Sequence, residues 1–250
     1  MSSTPRITAL RTGAATALTL ALVAGAAASA TAATATDQVA PQPGRQATAS
    51  AATLPAFDRD LARLPARIGE DGTSIVVGNP KAKNVVVILE DPRCPWCKKF
   101  EDANAKQLNH LAAQGDIRLE YTLASFLDRH LGGDGSKRAV NALRASVDAG
   151  KFPQYHSELF RTQPDESDET AYENHELITS AWKVGLFSHR FVDSVVHNKY
   201  AKFVDDSEYA VEHSGALGTP TVRINGADVS DDVLYDSAKF AEALAASGIK

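Results

Sequence analysis

The chain has only two cysteines among its 250 residues, and none precedes Cys94. A disulfide-rich scaffold is therefore excluded, and so is a lipoprotein-type thioether anchor near the N-terminus. Basic charge is also scarce. The formal net charge is -5, and once Arg6, Arg11, Arg45 and Asp37 are set aside with residues 1–53, 23 basic side chains remain against 30 acidic ones. Phosphate binding draws on clustered Lys and Arg, and no such run occurs, so nucleic acid is not an expected partner. No segment repeats another at a fixed period, which argues against a solenoid. Beyond the N-terminal region no apolar run is long enough to suggest a second membrane span.

The N-terminal region has its own order. Arg6 and Arg11 precede an uncharged Ala/Leu/Thr run from Thr12 to Ala28, which ends in Ala28-Ser29-Ala30. Basic, apolar and small-x-small segments in that order read as an export signal over residues 1–30, with retention as a membrane anchor the alternative. Residues 31–53, rich in Ala, Thr, Gln and Pro, hold too few large apolar groups to offset the entropy of packing. They read as a flexible linker. Export also bears on the two cysteines, because thiols outside the cytosol tend to be oxidised.

An amphipathic stretch from Phe57 to Leu64 opens the remaining chain, followed by turn signals at Gly69 and Asp71-Gly72. Thr73 to Gly78 predicts a strand, and Val85-Val86-Val87-Ile88-Leu89 predicts a central one buried on both faces. A helix follows, with Cys97, Phe100, Leu108 and Leu111 on its apolar side and Lys98, Lys99, Glu101, Asp102 and Lys106 on the rest. Ile117 to Leu123 alternates as a strand should. From about Ser125 to Ser214 the patterns are mainly helical: one segment capped by Ser136, one from Phe152 to Phe160, one from Ala171 to Val184, and two short ones between Arg190 and Val211. Thr221 to Ile224 and Ala227 to Ser230 then predict a hairpin about Asn225-Gly226, and Asp231 to Ser247 a single terminal helix.

The two cysteines stand three apart in Cys94-Pro95-Trp96-Cys97, between the central strand and its helix. A disulfide closing so short a loop removes little entropy from the unfolded chain, so stability is a weak reason to have one. Chemistry is a better reason. At a helix N-cap, Cys94 would meet unpaired N–H groups and the positive end of the dipole, both favouring a thiolate, with Arg93, Lys98 and Lys99 adding charge nearby. Pro95 suits the first helical position, where its missing N–H is no loss. Cys97, one turn inside, is the natural resolving thiol. A zinc half-site, a structural disulfide and a chance pair are the alternatives; zinc would need two further ligands, and no histidine pair lies at ligand spacing near the motif. No metal and no cofactor is expected.

With these features in place, the sequence from about Leu54 onward resembles the DsbA-like branch of the thioredoxin superfamily. The likeness rests on the strand running into Cys94-Pro95-Trp96-Cys97, on Phe152 to Phe160 as the family's insert helix, and on Gly218-Thr219-Pro220-Thr221 as its cis-proline loop. The resemblance implies an α/β thioredoxin fold whose N-terminal βαβ part and C-terminal ββα part are separated by a helical insertion. Its parts would be residues 54–124 with the cysteine motif, a helical insert over 125–214, and residues 215–250 with the cis-proline loop. It implies a secreted or extracytoplasmic thiol–disulfide oxidoreductase that oxidises cysteine pairs of exported polypeptides, with Cys94 and Cys97 catalytic. Thr219 and Pro220 would bind substrate by strand addition, and the Thr219 hydroxyl is a candidate partner of the Cys94 thiolate. A membrane redox partner would recycle the pair. A reductase or isomerase, and a non-enzymatic holdase or metallochaperone on the same fold, are the other readings.

Asp91 matches an acidic position of this branch, and Glu90 lies beside it; either could relay a proton or orient the loop, the alternative being two solvated carboxylates. The sequence departs from thioredoxin six residues before the first cysteine, where a buried acid is replaced by Ile88. His110, His130, His156, His175, His189, His197 and His213 read as surface or boundary residues. Trp96 reads as exposed beside the sulfur, and Trp182 as core.

Overall fold

A computed structural model describes residues 56–249, with side chains from Arg59 onward. The export signal over 1–30 and the linker over 31–53 lie outside the described residues. Among those described, no helix is long and apolar enough to cross a membrane.

Six strands form one sheet: β1 (Ala66–Ile68), β2 (Ser74–Gly78), β3 (Asn84–Glu90), β4 (Ile117–Leu123), β5 (Thr221–Ile224) and β6 (Ala227–Asp228), in the order β1-β2-β4-β3-β5-β6. The β-branched run sits at its centre. β3 pairs in parallel with β4, Ile88 opposite Tyr121, and antiparallel with β5, Ile88 opposite Val222. β1 went unpredicted because three residues containing Arg67 carry no alternation to read. It is held by the hairpin turn, where Asp71 Oδ1 accepts from the backbone N–H groups of Thr73 and Ser74. The second hairpin turns at Asn225 and Gly226, both with positive φ (51° and 87°), the pair a tight two-residue turn requires.

After α1 (Ala56–Arg63), helix α2 (Pro95–Gln114) joins β3 to β4 and ends at Gly115, whose φ of 85° forms a left-handed cap. Its buried side includes Cys97, Phe100, Glu101, Asn104 and Leu108, so Glu101 belongs to the inner face and not to the polar one. The spacing explains this, since 97, 101, 104 and 108 lie on one helical stripe.

Six helices stand between β4 and β5: α3 (Leu127–Leu131), α4 (Gly135–Asp148), α5 (Phe152–Arg161), α6 (Asn174–Lys183), α7 (His189–Val196) and α8 (Ala201–Glu212). α4 is buried along most of its length. α8 is clamped to the end of β4, the Ser207 hydroxyl accepting from Leu123 N–H and donating to Leu123 C=O, while the Glu208 carboxylate accepts from Ser125 N–H. Ser136 does not cap α4; its hydroxyl donates to Asp91 at 2.6 Å, and Asp134 is the cap residue. Trp182 is exposed, because Leu177 and Ala181 take the inner face of α6 and the next position turns outward. The terminal helix is split into α9 (Asp231–Leu234) and α10 (Ser237–Ala246), for Asp236 accepts from the N–H groups of Ala238 and Lys239 and starts a new helix. The resulting α/β arrangement of strand–helix–strand, helical insert, and strand–strand–helix agrees with the sequence pattern.

Candidate active site

β3 delivers Glu90 to its end, and Asp91-Pro92-Arg93 turns the chain so that Cys94 N–H donates to Asp91 C=O at 2.9 Å. Cys94 is then the N-cap of α2, with extended backbone, Pro95 following in the first turn and Lys98 N–H donating to its carbonyl. Both cysteines are free thiols. Cys97 is fully buried and Cys94 is 5% exposed, covered on one side by the cis Thr219–Pro220 peptide. The Cys94 sulfur lies 3.2 Å from the Thr219 carbonyl oxygen, to which the thiol donates in its protonated form.

The two sulfurs are held in opposite protonation states. Cys94 is lowered from the ordinary thiol value to about 6, chiefly by a hydrogen bond from the Cys97 thiol; burial opposes, and the Thr219 side chain and the N–H groups of Cys97 and Trp96 assist. Cys97 is pushed well up by burial, by its bond to Cys94 and by the charges of Cys94 and Glu90. The expected cationic neighbours supply none of this. The Arg93 guanidinium is buried among Asp128 (3.0 Å) and the carbonyls of Gly132 (2.7 Å) and Glu166 (2.8 Å), Lys98 pairs with Asp102, and Lys99 lies over the Trp96 and Tyr235 rings. Alkylation of the reduced protein should therefore modify Cys94 with a rate that rises to half its maximum near pH 6, against about 8.5 for an unperturbed thiol. A profile centred near 8.5, or equal labelling of Cys97, would contradict the assignment.

Glu90 and Asp91 are not solvated; both are fully buried. Asp91 accepts from the Ser136 hydroxyl and from the N–H groups of Arg93 (2.9 Å) and Leu127 (3.2 Å), so it orients the loop before Cys94. Burial raises it to about 7 in spite of these bonds. Glu90 meets His156 Nε2 at 2.5 Å, and burial and the Cys94 charge push its carboxyl well above the usual range. His156 is thus a correction. It is the buried histidine of the seven, stacked among Tyr121, Phe152 and Phe160, and burial lowers its imidazole. A signal was present: 156 falls on the apolar stripe of α5 with 152, 159 and 160.

Glu101 completes a buried trio whose donor atoms lie within 4.8 Å of one another. Two donors on one tetrahedral zinc stand roughly 3.3 Å apart, as bonds of about 2.0 Å dictate. The 2.5 Å His156–Glu90 contact is instead a hydrogen bond, which suits a shared proton better than a shared ion.

Other groups unnoticed in the sequence hold the motif's approach. Gln163 donates to the carbonyls of Pro92 (2.8 Å) and Cys94 (3.0 Å), and the Tyr172 hydroxyl to that of Pro92. Gly135 lies so close to this loop that a Cβ would meet Ala171 O at 2.8 Å and Arg93 Cδ at 3.1 Å. On the outer side Trp96 is 53% exposed and packs on Tyr235 with ring centroids 5.3 Å apart. Trp96, Leu217, Thr219, Pro220, Leu234 and Tyr235 line an open groove of about 690 Å³, and Thr219 of its wall is the residue whose carbonyl meets the Cys94 sulfur.

Comparison with known proteins reports similarity in sequence and fold. A family profile described as Thioredoxin matches residues 70–243. Comparison with curated protein sequences gives no match. Among solved structures, the reduced disulfide bond oxidoreductase DsbG of Mycobacterium tuberculosis is 26% identical with a TM-score of 0.57, covering 69% of this chain and 82% of its own. The oxidised DsbA of the same organism is also 26% identical at a TM-score of 0.57, covering 74% and 93%. MdbA of Actinomyces oris, a thiol–disulfide oxidoreductase, has a TM-score of 0.60 at 21% identity, covering 70% and 89%, and bears on the fold alone.

Proposed function

Because the chain belongs to the thioredoxin family and is a DsbA-like thiol–disulfide oxidoreductase, we propose that it oxidises cysteine pairs of exported polypeptides through a mixed disulfide on Cys94. The observation that carries this reading is the asymmetry of the pair: Cys94 caps the tip of α2 against Thr219 of the groove wall, while Cys97 is sealed beneath it, and their surroundings push the first thiol down and the second up.

In the oxidised enzyme a substrate thiolate attacks Cys94 Sγ, the bond to Cys97 breaks, and the Cys97 sulfur takes a proton. A second substrate thiolate then attacks the substrate sulfur and expels Cys94 as a thiolate. The leaving group is good because its charge is already provided for. A thiol lowered from about 9 to about 6 stabilises the dithiol form by about 1.4 kcal/mol at pH 7 relative to an unfolded chain. As for any group whose folded pKa is depressed, that stabilisation is complete above pH 9 and lost as pH falls through 6. For a two-electron couple it is worth about 30 mV toward the oxidising side, which favours donation over reduction.

Thr219 and Pro220 are the substrate-binding residues of this reading, since the backbone flanking them borders the groove next to the sulfur. Pro95 and Trp96 form the outer lip of the active-site loop. Asp91 acts as a loop-orienting group, and Glu90 is the carboxyl that exchanges protons with Cys97. The export signal read in residues 1–30 supports work outside the cytosol, where a membrane redox partner would reoxidise the pair.

The test is Cys97→Ala. This variant should accumulate substrate proteins on Cys94 as mixed disulfides released by reductant, because nothing is left beneath to resolve them. Absence of adducts, with client binding that persists when both cysteines are replaced, would favour a holdase. For the direction of electron flow, the potential of the 94–97 pair decides: a value near that of strongly reducing thiols would point to the reductase.

A further inference from the structure

The segment that carries Cys94 is bonded to the helical insert in both directions. Gln163 Nε2 donates to the carbonyls of Pro92 (2.8 Å) and Cys94 (3.0 Å), while Arg93, which stands between them in sequence, donates to the carbonyls of Glu166 (2.8 Å) and Asp168 (3.2 Å). Residues 92–94 and 163–168 therefore hold one another. Gln163 is half-buried and firmly placed. It follows α5 by two positions, its N–H donates to Phe160 C=O, and the Phe160 ring packs in one cluster with both cysteines. Beside it the Thr162 hydroxyl donates to Glu158 C=O, and Pro164 fixes the next φ.

We propose that Gln163 is a positioning residue for thiol–disulfide exchange: its amide locks the backbone rotations of Arg93 and Cys94, so that the Cys94 sulfur keeps its place at the tip of α2. The inference rests on the redox reading of the cysteine pair. It gives the helical insert a part in the chemistry, through a bond that spans 69 positions of sequence.

Geometry supplies the mechanism. A carbonyl oxygen has two lone pairs, and that of Cys94 accepts from Lys98 N–H with one and from Gln163 with the other. The Pro92 carbonyl is filled in the same way, by Gln163 and the Tyr172 hydroxyl. One nitrogen bonded to both oxygens restrains the φ and ψ rotations that lie between them, and ψ of Cys94 is among these. That angle, 117°, sets where the sulfur stands relative to the N–H groups of Trp96 and Cys97. Donors already in place when the thiolate forms need no reorganisation, whereas a loosened N-cap must recover them at each turnover. Charge plays no part in this role, because the amide is neutral. The titratable groups about the sulfur are Glu90, Asp91, Cys97 and Tyr235, with Arg93 taken up by Asp128 and Lys98 by Asp102.

The experiment compares the native protein with Gln163→Leu and Gln163→Met, which keep much of the side-chain volume, change no charge and have no donor. The readout is the pH dependence of Cys94 alkylation in the reduced protein, with melting curves to confirm folding. In both variants the pH of half-maximal rate should rise by about 0.5 to 1 from its native value of about 6, and the plateau rate above about pH 8 should not fall. At pH 7 the equilibrium constant for reduction by glutathione should fall about 3- to 5-fold, since a less stabilised thiolate makes a weaker oxidant. Two substitutions are used so that the misfolding of one leaves the other to decide. A native midpoint in either folded variant overturns the proposal, and so does a lowered plateau with no shift of midpoint. A native protein that does not exchange with glutathione would overturn the redox reading and this inference together, whereas native exchange beside folded variants with the native midpoint removes only the role of Gln163.

Discussion

Replacing Cys94 by serine should lower thiol–disulfide exchange by at least about 1,000-fold, to the level of uncatalysed reaction. At pH 7 a thiol with a pKa of about 6 is roughly nine-tenths ionised, and its sulfur contacts Thr219, a residue in the wall of the open groove. The remaining Cys97 has neither advantage. Burial pushes its thiol well up, which keeps it protonated and a poor nucleophile, and full burial removes the access needed for in-line attack. Because serine differs from cysteine by one atom, the fold should be retained, and its melting curve checks this. The assay is oxidation of a reduced model peptide under a fixed glutathione ratio. Residual activity above about a tenth of the native rate would mean that Cys97 can initiate exchange, and the assignment of roles would have to be reversed.

The largest stability effect is expected at Asp128, well away from the sulfurs in sequence. Its carboxylate accepts from Arg93 at 3.0 Å, from Ser136 N–H at 2.8 Å and from Lys137 N–H at 3.0 Å, so one side chain both neutralises a buried guanidinium and satisfies the start of α4. Both partners of the ion pair are almost completely buried. Asp128→Ala strands the Arg93 charge and should cost about 3–5 kcal/mol, a fall in melting temperature of roughly 10 °C for a domain of this size. Asp128→Asn keeps acceptors for the N–H groups and should cost less. By contrast, removing Asp102 from its exposed pair with Lys98 should change stability by less than about 0.5 kcal/mol. Denaturant titration of the three variants measures the order; a loss below about 1 kcal/mol for Asp128→Ala would mean that solvent reaches Arg93.

Arg93 also shows why part of the site could not be read in advance. Adjacent to Cys94 in sequence, it was expected to lend its charge to the thiolate, yet its guanidinium is bound to groups between 35 and 75 positions away. Glu90 meets His156 across 66 positions, and nothing local distinguishes that histidine's type from the six exposed ones. The helical stripe of α5 was the one clue, just as the 97-101-104-108 spacing was for Glu101. Trp182 shows the converse error, a large apolar residue placed in the core by its type while its position on α6 turned it outward.

What the sequence determined by itself were features set by near neighbours: the β-branched run of β3, Pro95 starting α2 directly after Cys94, the Asn225-Gly226 turn, and the hydrophobic periods of the insert helices. Dihedral preference and helix polarity act over a few residues, so the motif and its place at a helix tip were legible from their surroundings. The tertiary structure alone decided which charges are buried and with whom, namely Arg93 with Asp128 and Glu90 with His156, beside the unpartnered Glu101. The reason is physical. The protonation and cost of a buried charge depend on whatever the fold brings within a few ångströms, and those neighbours come from distant parts of the chain.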